Sequence, residues 1–251
     1  MVGVIKAEIR KNFRIGTIIV WIFTIFMSCF AINGIGLQES YSDIFFKYFG
    51  MAPLMGLIMF MMFSGSFILE YNSNMDGLIK ATKNGKKQLV ISKFIACGIS
   101  ASIVNLSILY SMALKVFVPF KFKGLNIPLK DLWYFGNSGS NITVIQLLVI
   151  MTVTIMIGSF LLASIGLWLS SISKNAIIPF LLGGAFMAIP YFMEARNIVR
   201  NIILIPMFGM YSSLLIRYKL PTYWVVAFII ISIIGSVSCY VMAKKSFLKE
   251  R

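Results

Sequence analysis

The run from Ile142 to Ile172, ITVIQLLVIMTVTIMIGSFLLASIGLWLSSI, decides the fold. It holds no Asp, Glu, Lys or Arg, and its polar side chains are confined to Gln146 and scattered Thr and Ser. A helix rises 1.5 Å per residue, so about 20 apolar residues cross a hydrocarbon core. Backbone N–H and C=O groups inside that core must pair within the segment, which makes a helix of such a run. A β-barrel would show short alternating segments, and this run is continuous. Further runs place spans at about 15–36, 50–69, 92–118, 142–172, 175–193 and 223–243. The fourth is too long for a perpendicular crossing and is expected to tilt or to project into the cytoplasm. Asn175 and Pro179 open the fifth after a tight turn at Ser173-Lys174.

Composition leads to the same class. Hydrophobic residues make up 59% of the chain and charged residues 12%, too little polar surface to clothe a soluble domain of this length. The expectation is an all-α integral membrane protein, a single domain over residues 1–251 with six transmembrane helices. The excess of 23 basic over 8 acidic residues does not read as a nucleic-acid surface. The cations sit in short stretches beside apolar runs, where anionic headgroups favour them, and no segment is long and polar enough to bind nucleic acid. Histidine is absent, which removes His-based triads, HExxH metal sites and histidine proton relays. Cys29, Cys97 and Cys239 each lie in an apolar run without CxxC spacing, so packing is expected of them and no metal site. The first span lacks a convincing cleavage site and is read as a retained helix.

Residues 2–14 precede the spans with their own pattern. Val2, Ile5, Ile9 and Phe13 recur at helical spacing, and Lys6, Arg10, Lys11 and Arg14 occupy the other side. A basic amphipathic helix of this kind suits the headgroup plane of membrane lipids; the same charges would also serve as a simple positive flank for the first span. The Lys/Arg bias sets orientation. The N-terminal cluster, Lys80 to Lys93, Lys174 and Lys244 to Arg251 fall on one side, favouring cytoplasmic N and C termini. Residues 119–141, with Pro119, Pro128 and Trp133-Tyr134-Phe135, form an outer interfacial segment. Residues 197–216 are apolar but broken by Pro206 and Gly209. As a seventh span they would put the C-terminal lysines outside, so a re-entrant or interfacial helical segment before the last span is expected.

The connection after the second span, EYNSNMDGLIKATKNGKKQLVISK from Glu70 to Lys93, carries the functional argument. Asp76 can cap a short helix with Leu78, Ile79 and Thr82 on one side and lysines interspersed, and Asn84-Gly85 would end it. A half-apolar, half-cationic helix below the bilayer can dock in a groove on a soluble partner, or it can be an incidental turn in a positive loop. Here the chain resembles the ABC-2 type ATP-binding-cassette permeases in their compact six-span form. Such permeases often carry a Glu after the second span, a Gly-containing stretch, a short helix, an Arg, and seven residues later a Lys opening the third span. The matching positions are Glu70, Asp76-Gly77, Leu78 to Thr82, Lys86 and Lys93. Lys86 keeps the charge of the usual Arg without its planar fork. The N-terminal helix, the six spans and the broken segment before the last one extend the likeness over most of the chain.

The resemblance implies an ATPase-coupling loop that includes Lys83 and Lys87, docked on a separate ABC ATPase subunit. It also implies a second permease subunit, in a homodimer or heterodimer, in a bacterial cell membrane. ATP and Mg²⁺ would be used by the partner: Gly77 lies too far from Gly85-Lys86 for a phosphate-binding loop, and no cofactor is expected on this chain. The function implied is export of an amphiphilic substrate, such as an antimicrobial or other peptide. A second class is the substrate-capture membrane subunit of a vitamin importer, which would bind its ligand on the outer side. An intramembrane protease or transferase fits poorly, since histidine and buried acidic pairs are wanting. Met55, Met59 and Met62 could line a flexible substrate wall or simply pack. Ser100, Ser107, Ser111 and Asn105, with Gly158, Ser159, Ala163 and Gly166, suit close helix contacts in lipid.

Overall fold

The computed structural model describes residues 1–73, 85–173, 175–195, 209–221 and 223–248. Ten α-helices are drawn from these residues: α1 (Val2–Asn12), α2 (Ile15–Ala31), α3 (Leu37–Gly50), α4 (Ala52–Phe63), α5 (Ile68–Asn72), α6 (Gly85–Phe117), α7 (Val144–Ile172), α8 (Ile177–Ala195), α9 (Ser212–Arg217) and α10 (Tyr223–Leu248). Among the described residues the only β pairing is an isolated bridge, Pro128 to Thr143. Four helices are long and apolar enough to cross a membrane: Ala52–Asn72, Lys87–Phe117, Val144–Ile172 and Tyr223–Phe247. A fifth is added if α1 and α2, which meet at a 69° bend, are one broken span. The chain is therefore a multi-pass α-helical protein of four or five candidate spans. The expected span at 15–36 is cut short: α2 is 17 residues, and the chain leaves it at Ile32 to enter α3.

Two features of the helix ends follow from local chemistry. Thr143 opens α7 with a reciprocal cap, its hydroxyl accepting the Gln146 N–H while the Gln146 side chain accepts the Thr143 N–H. Gly85 to Gln88, expected to be loop, continue the third span backward as helix, because lysine and glutamine are good helix formers.

The bundle has two distinct ends. At one, α3 and residues 118–143 form an aromatic cap. Tyr41, Ile44, Phe45 and Tyr48 of α3 are fully buried, with the Phe45 ring edge-on to Phe135 at 5.5 Å. The Tyr41 hydroxyl donates to the Lys123 carbonyl, and the Arg217 guanidinium lies 4.6 Å over the Tyr134 ring. Gly124 has φ +81°, and a side chain there would strike Leu37 and Ile127. Residues 119–141 were expected as an outer interfacial segment, whereas α3, which lies between the first two expected spans, was not apparent in the sequence. At the other end, α1, the C-terminal part of α5 and the start of α6 converge. The C-terminal turn of α10 joins them, since Phe247 packs on Phe67 and Tyr71, and Ser246 donates to the Ser171 carbonyl at 3.0 Å.

Between the ends, α6 and α7 form the centre, and small or polar residues set their contacts. Asn105 donates to the Ser159 hydroxyl at 2.9 Å, and the Trp21 indole of α2 donates to Ser107 at 2.8 Å. Met55, Met59 and Met62 are buried in this core, so packing is their role. Gly98 and Gly183 act as notches that receive the rings of Phe160 and Phe60. A Cβ at either position would overlap the ring. Gly98→Ala is expected to destabilise the fold by about 1–3 kcal/mol through overpacking, read as a lower thermal midpoint in detergent, while Gly65→Ala, where a Cβ meets open space, is expected to leave the midpoint nearly unchanged.

Candidate functional site

The residues that flank the 74–84 connection are brought together by charge. Glu70 ends the second span and Lys93 lies in the third, and both are buried, with 6% and 1% of their surface exposed. Lys93 Nζ donates to Glu70 Oε1 at 3.0 Å, to Glu8 Oε2 at 2.8 Å and to the Ser66 carbonyl at 3.0 Å. All three ammonium protons are thereby satisfied. Lys11 Nζ donates to Glu8 Oε1 at 2.9 Å and to Glu70 Oε1 at 3.0 Å. The four side chains close a ring of alternating sign, Lys11–Glu8–Lys93–Glu70, with its Lys11 edge half open to water.

Helical spacing builds the ring. Glu8 and Lys11 stand three residues apart on α1 and face the same way. Asn12, one turn on from Glu8, donates to Ser100 at 3.2 Å and to the Cys97 sulfur at 3.5 Å, which pins α1 along α6. The face that α1 turns inward is thus centred on Glu8 and Asn12. The apolar stripe Val2, Ile5, Ile9 and Phe13 is not this face: Val2 is 81% exposed, and Ile5, Ile9 and Phe13 are half-buried. The reason is electrostatic. Lys93 needs carboxylates around it once it leaves water, and Glu8 supplies one from α1.

Lys6, Arg10 and Arg14 are exposed as expected, whereas Lys11 belongs to the ring. Of the connection residues singled out in the sequence, Asp76, Gly77, Leu78, Ile79, Thr82 and Lys83 lie outside the described residues. Lys86 falls in the first turn of α6, and Lys87 is exposed there. Glu70 and Lys93, read as the two ends of an ATPase-coupling loop, are interior residues. Glu8 was missed. The available signal was its position as an acid inside a basic stretch, three residues before Lys11, in a chain with 8 acidic residues in all.

Taking paired charges out of water costs several kcal/mol per ion, which the ring offsets by giving every buried charge an opposite neighbour. Its net charge is zero. Removing one member leaves the others uncompensated. Lys93→Met is therefore expected to destabilise by about 3–5 kcal/mol, and adding Glu70→Gln to it should restore part of the lost thermal midpoint, because Glu8 and Lys11 remain as a neutral pair. Equal midpoints for wild type and Lys93→Met would show that the ring is not coupled to folding.

Among the described residues no group of His, Cys, Asp and Glu could hold a metal ion. No family model matches the chain, and neither a curated protein nor a solved structure is significantly similar to it.

Proposed function

We propose that the chain is the membrane-spanning permease subunit of an ATP-driven exporter in a bacterial cell membrane. It would work with a second permease subunit and a separate ABC ATPase, and move an amphiphilic substrate such as a peptide. The observation that supports this reading is the ion ring. It joins the end of the second span, the third span and the N-terminal helix at the two points between which residues 74–84 run. A push on that connection by an ATPase subunit would therefore reach both spans and α1 together, rather than being absorbed in a loose loop.

Six crossings with both termini cytoplasmic fit the two-ended bundle. α2 starts beside Lys11 and finishes near Lys115, whose ammonium lies 5.8 Å over the Phe30 ring. α8 starts beside Met61 and Ser64 and brings Tyr191 onto Phe49 near the aromatic cap. Both thus run the length of the bundle beside the four longer helices. Tyr211 also packs on Phe49, so the chain leaves α8 and returns to α9 at the same end. That supports a re-entrant or interfacial segment before the last span. With α1 bent 69° from α2, its exposed Lys6, Arg10 and Arg14 suit a helix lying among anionic headgroups.

Co-expression with candidate ATPase subunits tests the coupling role. Charge reversal at Lys83, Lys86 and Lys87 is expected to lower recovery of the complex about tenfold or more, in line with loss of complementary charge at an interface. A fully intact complex would overturn the docking role, and a vitamin retained by the purified chain would replace the exporter by a capture subunit. Single cysteines at Lys83 and Lys123 test orientation. Labelling from outside is expected at 123 alone.

A further inference from the structure

A cavity of about 410 Å³ opens between the start of α2, the end of α4 and the start of α8, lined by Arg14, Thr17, Met61, Ser64, Ile177 and Phe180 among others. Its polar groups are all suited to an anion. α2 begins without a side-chain cap, and its first intrahelical bond runs from Ile18 N–H to the Arg14 carbonyl at 2.9 Å. The N–H groups of Ile15, Gly16 and Thr17 therefore have no acceptor within the helix. α8 contributes a second N-terminus: its first bond runs from Phe180 to Ala176, and Asn175 takes the Ile178 N–H, leaving those of Ala176 and Ile177 outside the helical pattern. Each helix end carries partial positive charge. Arg14 donates its Nε–H to the Lys11 carbonyl at 3.3 Å and lines the cavity with its charge.

Two hydroxyls give the independent sign of a ligand. Thr17 is 2% exposed and Ser64 7% exposed, both line the cavity, and neither side chain has a hydrogen-bond partner among the described residues. Both hydroxyls are therefore free to donate into the cavity beside Arg14. Among the described residues no carboxylate lines it. The lower wall is apolar, and Phe180 belongs as well to a second crevice of about 320 Å³ between α4 and α8, bounded by Leu57, Phe60, Tyr191 and Phe192. α4 and α8 run antiparallel there, so the two cavities adjoin at Phe180 and make a candidate groove, cationic at the Arg14 end and apolar beyond. From Ile177 to Phe192 it extends about 22 Å at 1.5 Å per residue, close to the roughly 20 Å of one bilayer leaflet with its headgroups.

We propose that this groove binds one anionic, phosphate-bearing membrane lipid, its phosphate at Arg14, Thr17, Ser64 and the two helix N-termini, and an acyl chain along the α4/α8 crevice. A zwitterionic lipid would bring an ammonium group that finds no carboxylate in the lining. The site does not depend on the transport role. Native mass spectrometry of the full chain in detergent, offered phosphatidylglycerol and phosphatidylcholine together, tests it. Wild type is expected to retain one phosphatidylglycerol with about tenfold preference, the size of one charge-assisted contact. Arg14→Gln combined with Thr17→Val should abolish that preference. Gly184→Phe, whose side chain enters open space beside the crevice, should lower retention of both lipids. Thermal midpoints of the variants report whether folding is intact. Equal retention of the two lipids by wild type, or unchanged retention in folded variants, overturns the proposal. Displacement by excess inorganic phosphate with no effect of Gly184→Phe would assign the site to a soluble anion and overturn the lipid.

Discussion

Lys93 has lost nearly all contact with water, and an ammonium in that position must be surrounded by acceptors or the fold fails. Its three protons reach Glu8, Glu70 and the Ser66 carbonyl, and those partners lie on pieces of chain far apart in sequence. The N-terminal helix, the end of the second span and the third span are thereby held to one geometry. Lys11 closes the ring from the water side, so the buried pair of acids faces a pair of bases. A loop beginning at one corner of such a ring and ending at another is mechanically connected to three helices at once.

The rest of the bundle uses a different economy. Away from the ring, helices meet through hydroxyls, the amides of Asn12 and Asn105, and glycine notches, as expected where lipid removes the usual hydrophobic drive for association. Asn105 and Ser159 tie the two central helices, while Ser100 and Ser107 on another side of α6 serve α1 and α2. Large apolar side chains on α2 and α10 point outward instead: Ile19, Ile22, Phe26, Ile230 and Ile234 are all more than half exposed. Such surfaces belong in hydrocarbon. The aromatic cap and the ion ring then mark the two ends between which the apolar belt lies.

The placement of polar groups also separates this chain from a generic hydrophobic bundle. Among the described residues the two buried acids, Glu8 and Glu70, each face Lys93 and Lys11. The cationic cavity at Arg14 is the reverse case, with no carboxylate among its described lining residues. One cluster is complete in itself. The other is complementary to something outside the chain.

Periodicity and run length are local properties, and they were enough for the membrane class, for the helices around 52–72, 87–117, 144–172 and 223–247, and for a helix over the N-terminal residues. Glu70 and Lys93 were singled out only as matching positions of the permease motif, not as partners. What local pattern could not reveal was where long-range partners would come from. Glu8 looks like one acid in a basic stretch until Lys93 is buried beside it, and its demand for a partner then turns α1 inward on a polar face instead of an apolar one. α3 likewise reads as a mixed loop because its burial is conferred by residues 118–143, some eighty positions away, through contacts such as Phe45 with Phe135. The sequence by itself determined that this chain is a set of membrane-length helices with a basic N-terminal helix. Only the tertiary structure decided which charges leave water together, because desolvation is a property of the assembled neighbourhood and not of any single stretch.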